Sequence, residues 1–330
     1  DAAEVAKTIE QQIGAALAAK DEPRTAAQLY FRPFYFGAAH PYGHPASGDE
    51  LSLKAITRDS IVGTHRRLYV ARNVHIVAVG DFDPSAFALR IEKAFASIPS
   101  GSRFDWTSAS TVSHTQPRLL LVDKPDATQT YFTIALPGID RKHRDRTVLD
   151  LVNTLFGGRF TSLLNDELRV NSGLTYGAGS RVQTDRLPGA IAIASFTKTE
   201  STVPAIDLAV EVLGRFHDNG ITAAQLQSAK AYVKGTFPPR ALETTGQVAE
   251  LIGELDLFGL SRGEIDDMFS RIDAVTLEQA NVAIRRYFVP ERLQFCLIGK
   301  AAEIAKDVEK YADHRRVIPL ASPGVRVPNF

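Results

Sequence analysis

The spacing of apolar and polar positions divides the chain into helical and extended stretches. Residues 3–19 and 24–36 read as helices, with Pro23 between them at a position suited to a helix start. A turn-rich loop, "HPYGHPASGDE", leads to a helix over 57–70, for which Thr57 is the expected N-cap. "NVHIVAVGD" (73–81) alternates as a strand does, and 83–98 returns to helical spacing. The run 99–117 is rich in Ser, Thr and Gly and contains the linker. Beyond it, strands are expected at 118–123 and 128–138. A helix over 147–156 places Val148, Leu151, Val152, Leu155 and Phe156 on one face and ends at Gly157 and Gly158. Residues 163–182 read as the end of an amphipathic helix, a turn and a glycine-studded strand. That strand pairs, through a turn near Leu187-Pro188-Gly189, with a strand over 189–197. Helices follow at about 202–218, 222–235, 244–258, 262–272 and 276–288, then a strand at 292–299, a final helix and a Pro-bearing tail.

An internal repeat organises these elements. Residues 57–81 lie over 276–300 without a gap, so that Thr57 meets Thr276, Arg66-Arg67 meet Arg285-Arg286, Val70 meets Val289 and Gly80 meets Gly299. If the second copy opens at the linker, the first is short of roughly 100 residues at its front. The expected fold class is α+β, with two related halves of antiparallel sheet backed by helices and the first half lacking its N-terminal portion. Residues 1–104 are then the later portion of the first half, 105–117 the linker, and 118–330 the C-terminal half.

Composition narrows the function. Hydrophobic residues make up 44% and charged ones 23%, an ordinary globular mixture. Lys plus Arg (38) balances Asp plus Glu (38), so no global field favours nucleic acid or an anionic membrane. The basic run "RKHRDR" (141–146) is broken by Asp145 and opens a helix, which makes it a solvated face. No stretch approaches the ~18 consecutive apolar residues of a membrane span. Cys296 is the only cysteine, which rules out a disulfide framework and a Cys-based zinc site and fits any compartment.

Few chemical motifs survive inspection. "HPYGH" spaces His40 and His44 as a helical zinc pair would be spaced, but Pro41 and Gly43 make the segment a turn. No H-x-x-E-H string, nucleophile elbow, P-loop or dinucleotide fingerprint is present. What remains is Arg169 in a last helical turn and Tyr176 in the following strand, beside Gly177 and Gly179. Small residues there let another backbone come close. One reading makes Arg169 a partner of a helix C-terminus and Tyr176 a packing residue on a sheet. The other makes a peptide site, in which the strand hydrogen-bonds an extended ligand and the Arg and phenol donors point at its carbonyl oxygen.

The repeat with its linker, "HPYGHPASG", "VARNVHIVAVGDFDP" and above all "GGRFTSLLNDELRVNSGLTYGAGS" resemble the pitrilysin/insulinase family of zinc metallopeptidases, the inverzincins. The similarity covers nearly the whole chain, and the Arg-x6-Tyr string after a Gly-Gly loop is among the family's more specific marks. The resemblance implies a clamshell of two similar α+β halves. The first half carries H-x-x-E-H and a downstream Glu for zinc, and the second contributes an Arg/Tyr pair, here Arg169 and Tyr176, that holds substrate near the metal. Many bacterial members divide these tasks between two subunits. This sequence departs from the pattern twice. H-x-x-E-H is absent, and Ala15 and Ala16 stand where the third ligand belongs, with Glu10 more than a helical turn away. A methyl group cannot ligate zinc.

The expectation is therefore a substrate-binding, non-catalytic subunit of a two-subunit peptidase. Arg169 and Tyr176 supply the catalytic and substrate-binding contacts, with Gly177 and Gly179 admitting the peptide. No metal or other cofactor is expected in this chain, and zinc is expected in a homologous partner subunit forming a heterodimer. The alternative is a structural or peptide-binding protein of the same fold. A periplasmic location is expected, with the cytoplasm as the alternative.

Overall fold

The protein's computed structural model describes residues 1–105, 109 and 112–330. Trp106, Thr107, Ser108, Ser110 and Thr111, all in the expected linker, lie outside the described residues. The chain opens with helices whose starts are written in their caps. Asp1 accepts from the Ala3 amide to begin α1 (Ala2–Asp21), and the Glu22 carboxylate accepts from the amides of Arg24 and Thr25 to begin α2 (Pro23–Phe36). Reciprocal capping boxes, Asp49 with Ser52 and Thr57 with Ser60, open α3 (Glu50–Lys54) and α4 (Arg58–Leu68). Asp83 caps α5 (Pro84–Phe95).

From residue 118 the chain builds a six-stranded sheet from β1 (Arg118–Asp123), β2 (Gln129–Pro137), β3 (Thr175–Thr184), β4 (Pro188–Lys198), β5 (Gln294–Gly299) and β6 (His314–Pro319). The strand order is β3-β4-β2-β5-β1-β6. Between β2 and β3 lie α6 (Arg146–Asn153), a π-turn (Thr154–Gly158), the short α7 (Leu163–Asn165) and a second π-turn (Asp166–Asn171). Between β4 and β5 come α8 (Thr202–Asn219), α9 (Ala223–Ala241), α10 (Thr245–Phe258), α11 (Gly263–Asp266), α12 (Met268–Ala274) and α13 (Leu277–Tyr287). α14 (Ala301–Val308) links β5 to β6. The α+β class expected from the sequence holds. The sheet itself is mixed: β3, β4, β2 and β5 pair antiparallel, whereas β1 pairs parallel to both β5 and β6. β6 was not expected, because "HRRVIP" is a charged, exposed edge strand with little apolar pattern to show.

Both faces of the central strands are buried, which is why "LLLV" in β1 and "FCLI" in β5 read as continuous apolar runs. On one face Leu119, Leu121, Ile134 and Phe295 pack against the helices, where Phe156, Phe216 and Phe288 form an aromatic cluster. On the other face α2 lays Tyr30, Phe31, Phe34 and Tyr35 over Leu120, Val122, Cys296 and Ile298. Tyr35 donates to the Leu136 carbonyl (3.2 Å), and Arg118 clamps the end of α2 by donating to the Phe34 carbonyl (3.0 Å) and to Gln294 Oε1 (2.6 Å). The C-terminal tail is tied down by a buried ion pair. Lys20 Nζ lies 3.1 Å from Glu50 Oε1 and also donates to the carbonyls of Ser322 and Gly324.

The repeat is visible as structure. α4 and α13 have the same length, both open on Thr capping boxes (Thr57 and Thr276), and both are followed by a one-turn 3₁₀ helix, at Ala71–Asn73 and Pro290–Arg292. There the copies part. β5 is wholly buried between β2 and β1, but the corresponding segment 75–80, inside the stretch 73–81 expected as a strand, is not one. No strand of the described residues lies beside it, and an extended segment without a partner forms no ladder. Its neighbours are correspondingly bare. α4 and α5 bury no residue, and Ile61, Ile76, Leu89 and Phe95 are exposed.

Candidate functional site

The site grows from two π-turns, a helical irregularity often found where function needs backbone displaced. α6 buries Leu149, Leu151 and Val152, and the turn that follows carries Gly157 onto β3. A Cβ at Gly157 would sit 2.4 Å from the Ser180 amide nitrogen, and one at Gly179 would sit 3.1 Å from the Gly157 carbonyl oxygen. The close backbone approach that glycine permits in this strand is thus the chain's own π-turn against β3. Asn153 clips the two together: its Nδ2 donates to the Ser180 carbonyl (3.2 Å) and its Oδ1 accepts from Ser180 Oγ (2.5 Å). Gly177 differs from Gly179. A Cβ there would meet only Asn165 Oδ1, at 3.8 Å, so Gly177 is open on the side that Gly179 is not.

Asn165 is the second clip. It donates to the Phe160 carbonyl (2.8 Å) and accepts from the Ala178 amide (3.3 Å), joining the loop that holds Phe160 to the strand that holds Tyr176. The β3–β4 register shifts between Thr175 and Ala178, so Tyr176 and Gly177 lie in a bulge. A bulge re-aims a side chain, and Tyr176 turns outward, 76% exposed. Arg169, from the second π-turn, completes the arrangement. Its guanidinium carbon stands 4.9 Å from the ring centroids of both Phe160 and Tyr176. Stacking on two rings holds the cation in place while leaving its N–H donors free. Among the described residues, Arg169 has no carboxylate or hydrogen-bond partner and the Tyr176 hydroxyl has none either. The structure therefore brings Arg169 and Tyr176 together, with Gly177 beside them.

These residues line a cleft of about 680 Å³ between α2, α9 and the β3 edge of the sheet. Concave sites of this size are typical of ligand binding. β3 is outermost in the sheet, so among the described residues one side of its backbone has no neighbouring strand. The contributions of Phe160, Asn153 and Asn165 escaped sequence reading. Their only signal is polar side chains inside an otherwise apolar helical stretch and an aromatic beside a Gly-Gly pair.

The "HPYGH" segment is a turn, as its Pro and Gly imply. His40 Nδ1 accepts from the Tyr42 amide (3.0 Å), its ring stacks on Phe36, and burial holds its pKa below the usual histidine range. His44 is exposed. Tyr42 reaches across to accept from the Leu187 amide at the tip of the β3–β4 hairpin (2.9 Å). Among the described residues, no group of three or more His, Cys, Asp or Glu side chains converges as metal ligands would. Cys296 is buried in the sheet, and burial pushes its thiol pKa up, which leaves it inert.

Residues 55–233, which include both π-turns and the hairpin, match the family model described as "Peptidase M16 inactive domain". The chain belongs to this family. It is the family of the pitrilysin/insulinase resemblance carried by the Arg-x6-Tyr string. An uncharacterized zinc protease of Mycobacterium tuberculosis (strain ATCC 25618 / H37Rv) is 26% identical over 281 residues, covering 84% of this M16 chain and 63% of the relative. The uncharacterized zinc protease YmxG of Bacillus subtilis (strain 168) is 24% identical over 252 residues, covering 76% of the chain and 60% of the relative. The M16 chain thus spans under two thirds of the length of these curated relatives. Among solved structures, a peptidase M16 inactive domain from Pseudomonas fluorescens superposes with a TM-score of 0.83 at 24% identity, over 91% of this chain and 71% of that one. A protease from Helicobacter pylori gives 0.79 at 19% identity, over 90% and 72%. These likenesses establish a shared fold.

Proposed function

We propose that this chain is the substrate-binding, non-catalytic member of a zinc-dependent peptidase pair. In this reading a homologous partner supplies the metal, the activated water and the carboxylate base, and this chain holds the peptide. The observation that carries the proposal is the state of Arg169 and Tyr176. A residue kept for packing is buried or paired, yet Tyr176 projects into a cleft with its hydroxyl unspent and Arg169 is stacked between two rings with no counter-ion among the described residues. Phenol and guanidinium donors fixed in advance suit a carbonyl oxygen on which negative charge develops. The open edge of β3 suits the backbone of an extended peptide, with Gly177 leaving room for it.

The chain's own residues would then bind, orient and stabilise, and the bond-breaking step would belong to the partner. The test is hydrolysis by the reconstituted pair. Tyr176→Phe removes a preorganised donor whose loss costs about 2.7–4 kcal/mol, on the order of a hundredfold or more in turnover, and Arg169→Ala should be comparably damaging. If both variants leave hydrolysis by the pair unchanged, Arg169 and Tyr176 are packing features, and a scaffold of the same fold is the correct reading.

A further inference from the structure

The cleft beside Arg169 and Tyr176 carries charge of one sign. Arg24, Arg159, Arg169 and Arg240 line it, and no Asp, Glu, Lys or His among the described residues does. Chain-wide balance does not account for this, since 38 basic residues face 38 acidic ones. The four arginines come from separate places: the first turn of α2, the loop after the first π-turn, the second π-turn and the last turn of α9. None of them forms an ion pair among the described residues. Arginines elsewhere do, as in Arg141 with Glu254, Arg146 and Arg271 with Glu264, and Arg215 with Glu167. Glu22, the carboxylate nearest Arg24 in sequence, is occupied as the N-cap of α2.

Several of these cations are set in position without being neutralised. Arg159 Nη1 donates to Ser228 Oγ (3.0 Å), its Nε donates to the Thr161 carbonyl (3.3 Å), and its guanidinium stands 5.8 Å from the Tyr232 ring centroid. Arg24 stands 5.8 Å from the Phe196 ring centroid. Aromatic faces hold guanidinium groups while leaving their charge and outward forks available, and a fork matches a carboxylate in two hydrogen bonds. The geometry points to a cleft that selects acidic peptides: the backbone runs along β3 while Asp or Glu side chains reach Arg24, Arg159 and Arg240. This rests on the peptide-binding reading of Arg169 and Tyr176. A peptide fits better than a nucleic acid. The cleft borders a strand edge able to pair with an extended backbone, and its four arginines are gathered in one cleft, not strung along the extended basic track that a phosphate backbone rewards.

The test is fluorescence anisotropy with labelled peptides of about ten residues, identical except for Glu, Gln or Lys at alternate positions, and a labelled oligo-dT of matching length, each against the full chain. Exposed charge pairs are individually weak, so the expected preference is about tenfold for the Glu over the Gln peptide, shrinking as salt is raised. Combining R24Q, R159Q and R240Q should make the Glu and Gln peptides bind alike. The separate single substitutions should each narrow the gap, which keeps the test valid if the triple variant misfolds. Equal binding of the Glu and Gln peptides, preference for the Lys peptide, or tighter binding of oligo-dT would overturn the proposal. If the Gln peptide binds and loses affinity on Arg169→Ala while no acidic preference exists, acid selection falls and the peptide site stands. If no peptide binds, both fall.

Discussion

At the scale of single residues, the site depends on groups that the sequence names and on groups it hides. Arg169 and Tyr176 stand out as a fixed cation and a phenol at a family-specific spacing. What holds them does not. Phe160 becomes a stacking surface only because the π-turns fold it back over Arg169, and Asn165 matters because one amide reaches both the Phe160 loop and β3. Neither contact has a periodic signature. His114 is a further example, at the junction of α2 and the sheet. Its Nε2 lies 2.9 Å from the Tyr35 carbonyl and 3.2 Å from the Arg118 guanidinium. Burial, with help from the Arg118 charge, lowers its pKa to about 4. Because the folded value lies below the unfolded one, the stability contributed by neutral His114 is present above about pH 6.5 and is lost as pH falls toward 4. Denaturant titrations should show that decline, up to roughly 3 kcal/mol. His114→Gln retains a donor for Tyr35 and should flatten it. An unchanged slope in the variant would mean that other groups carry the acid sensitivity.

At the scale of elements, most boundaries were legible because caps and apolar runs mark them. Thr57, Thr222, Thr244 and Thr276 each open a helix with a capping box. The misses have physical causes. α9 runs through Pro238 and Pro239, which argue locally for an earlier stop, and segment 75–80 has strand alternation without a strand to pair with among the described residues. The two π-turns could not be read at all, since they arise from packing of α6 and α7 on β3. Glycine separates fold from function here. Gly157→Ala places a methyl group against backbone 2.4 Å away and should cost about 2 kcal/mol or more of stability. Gly177→Ala meets nothing closer than 3.8 Å and should melt like the parent. Gly177→Val should also fold but should weaken peptide binding, because its bulk enters the cleft beside Tyr176. Peptide affinity unchanged in Gly177→Val would place the ligand away from β3.

At the scale of the whole molecule, the repeat at a shift of 219 residues survives as matched helices and 3₁₀ turns, from Thr57 over Thr276 to Ala71 over Pro290. The copies differ in company. The second is embedded in a complete sheet, and the first exposes apolar positions on α4, α5 and the segment between them. α2 crosses this division, packing on the sheet of residues 118–330 and contributing Arg24 to the cleft. The chain as a whole has a cleft of about 680 Å³ lined by Arg169 and Tyr176 and, among the described residues, no cluster of metal ligands beside it. The central claim is that such a chain works only with a zinc-carrying relative. The direct measurement is purification of this protein from its native host, with mass spectrometry of bound chains, elemental analysis and peptide hydrolysis by the complex and by each separated chain. The expected result is a homologous partner bearing H-x-x-E-H, about one zinc per pair held by that partner, and hydrolysis by the pair alone. One tightly bound zinc in this chain by itself, with hydrolysis in the partner's absence, would contradict it.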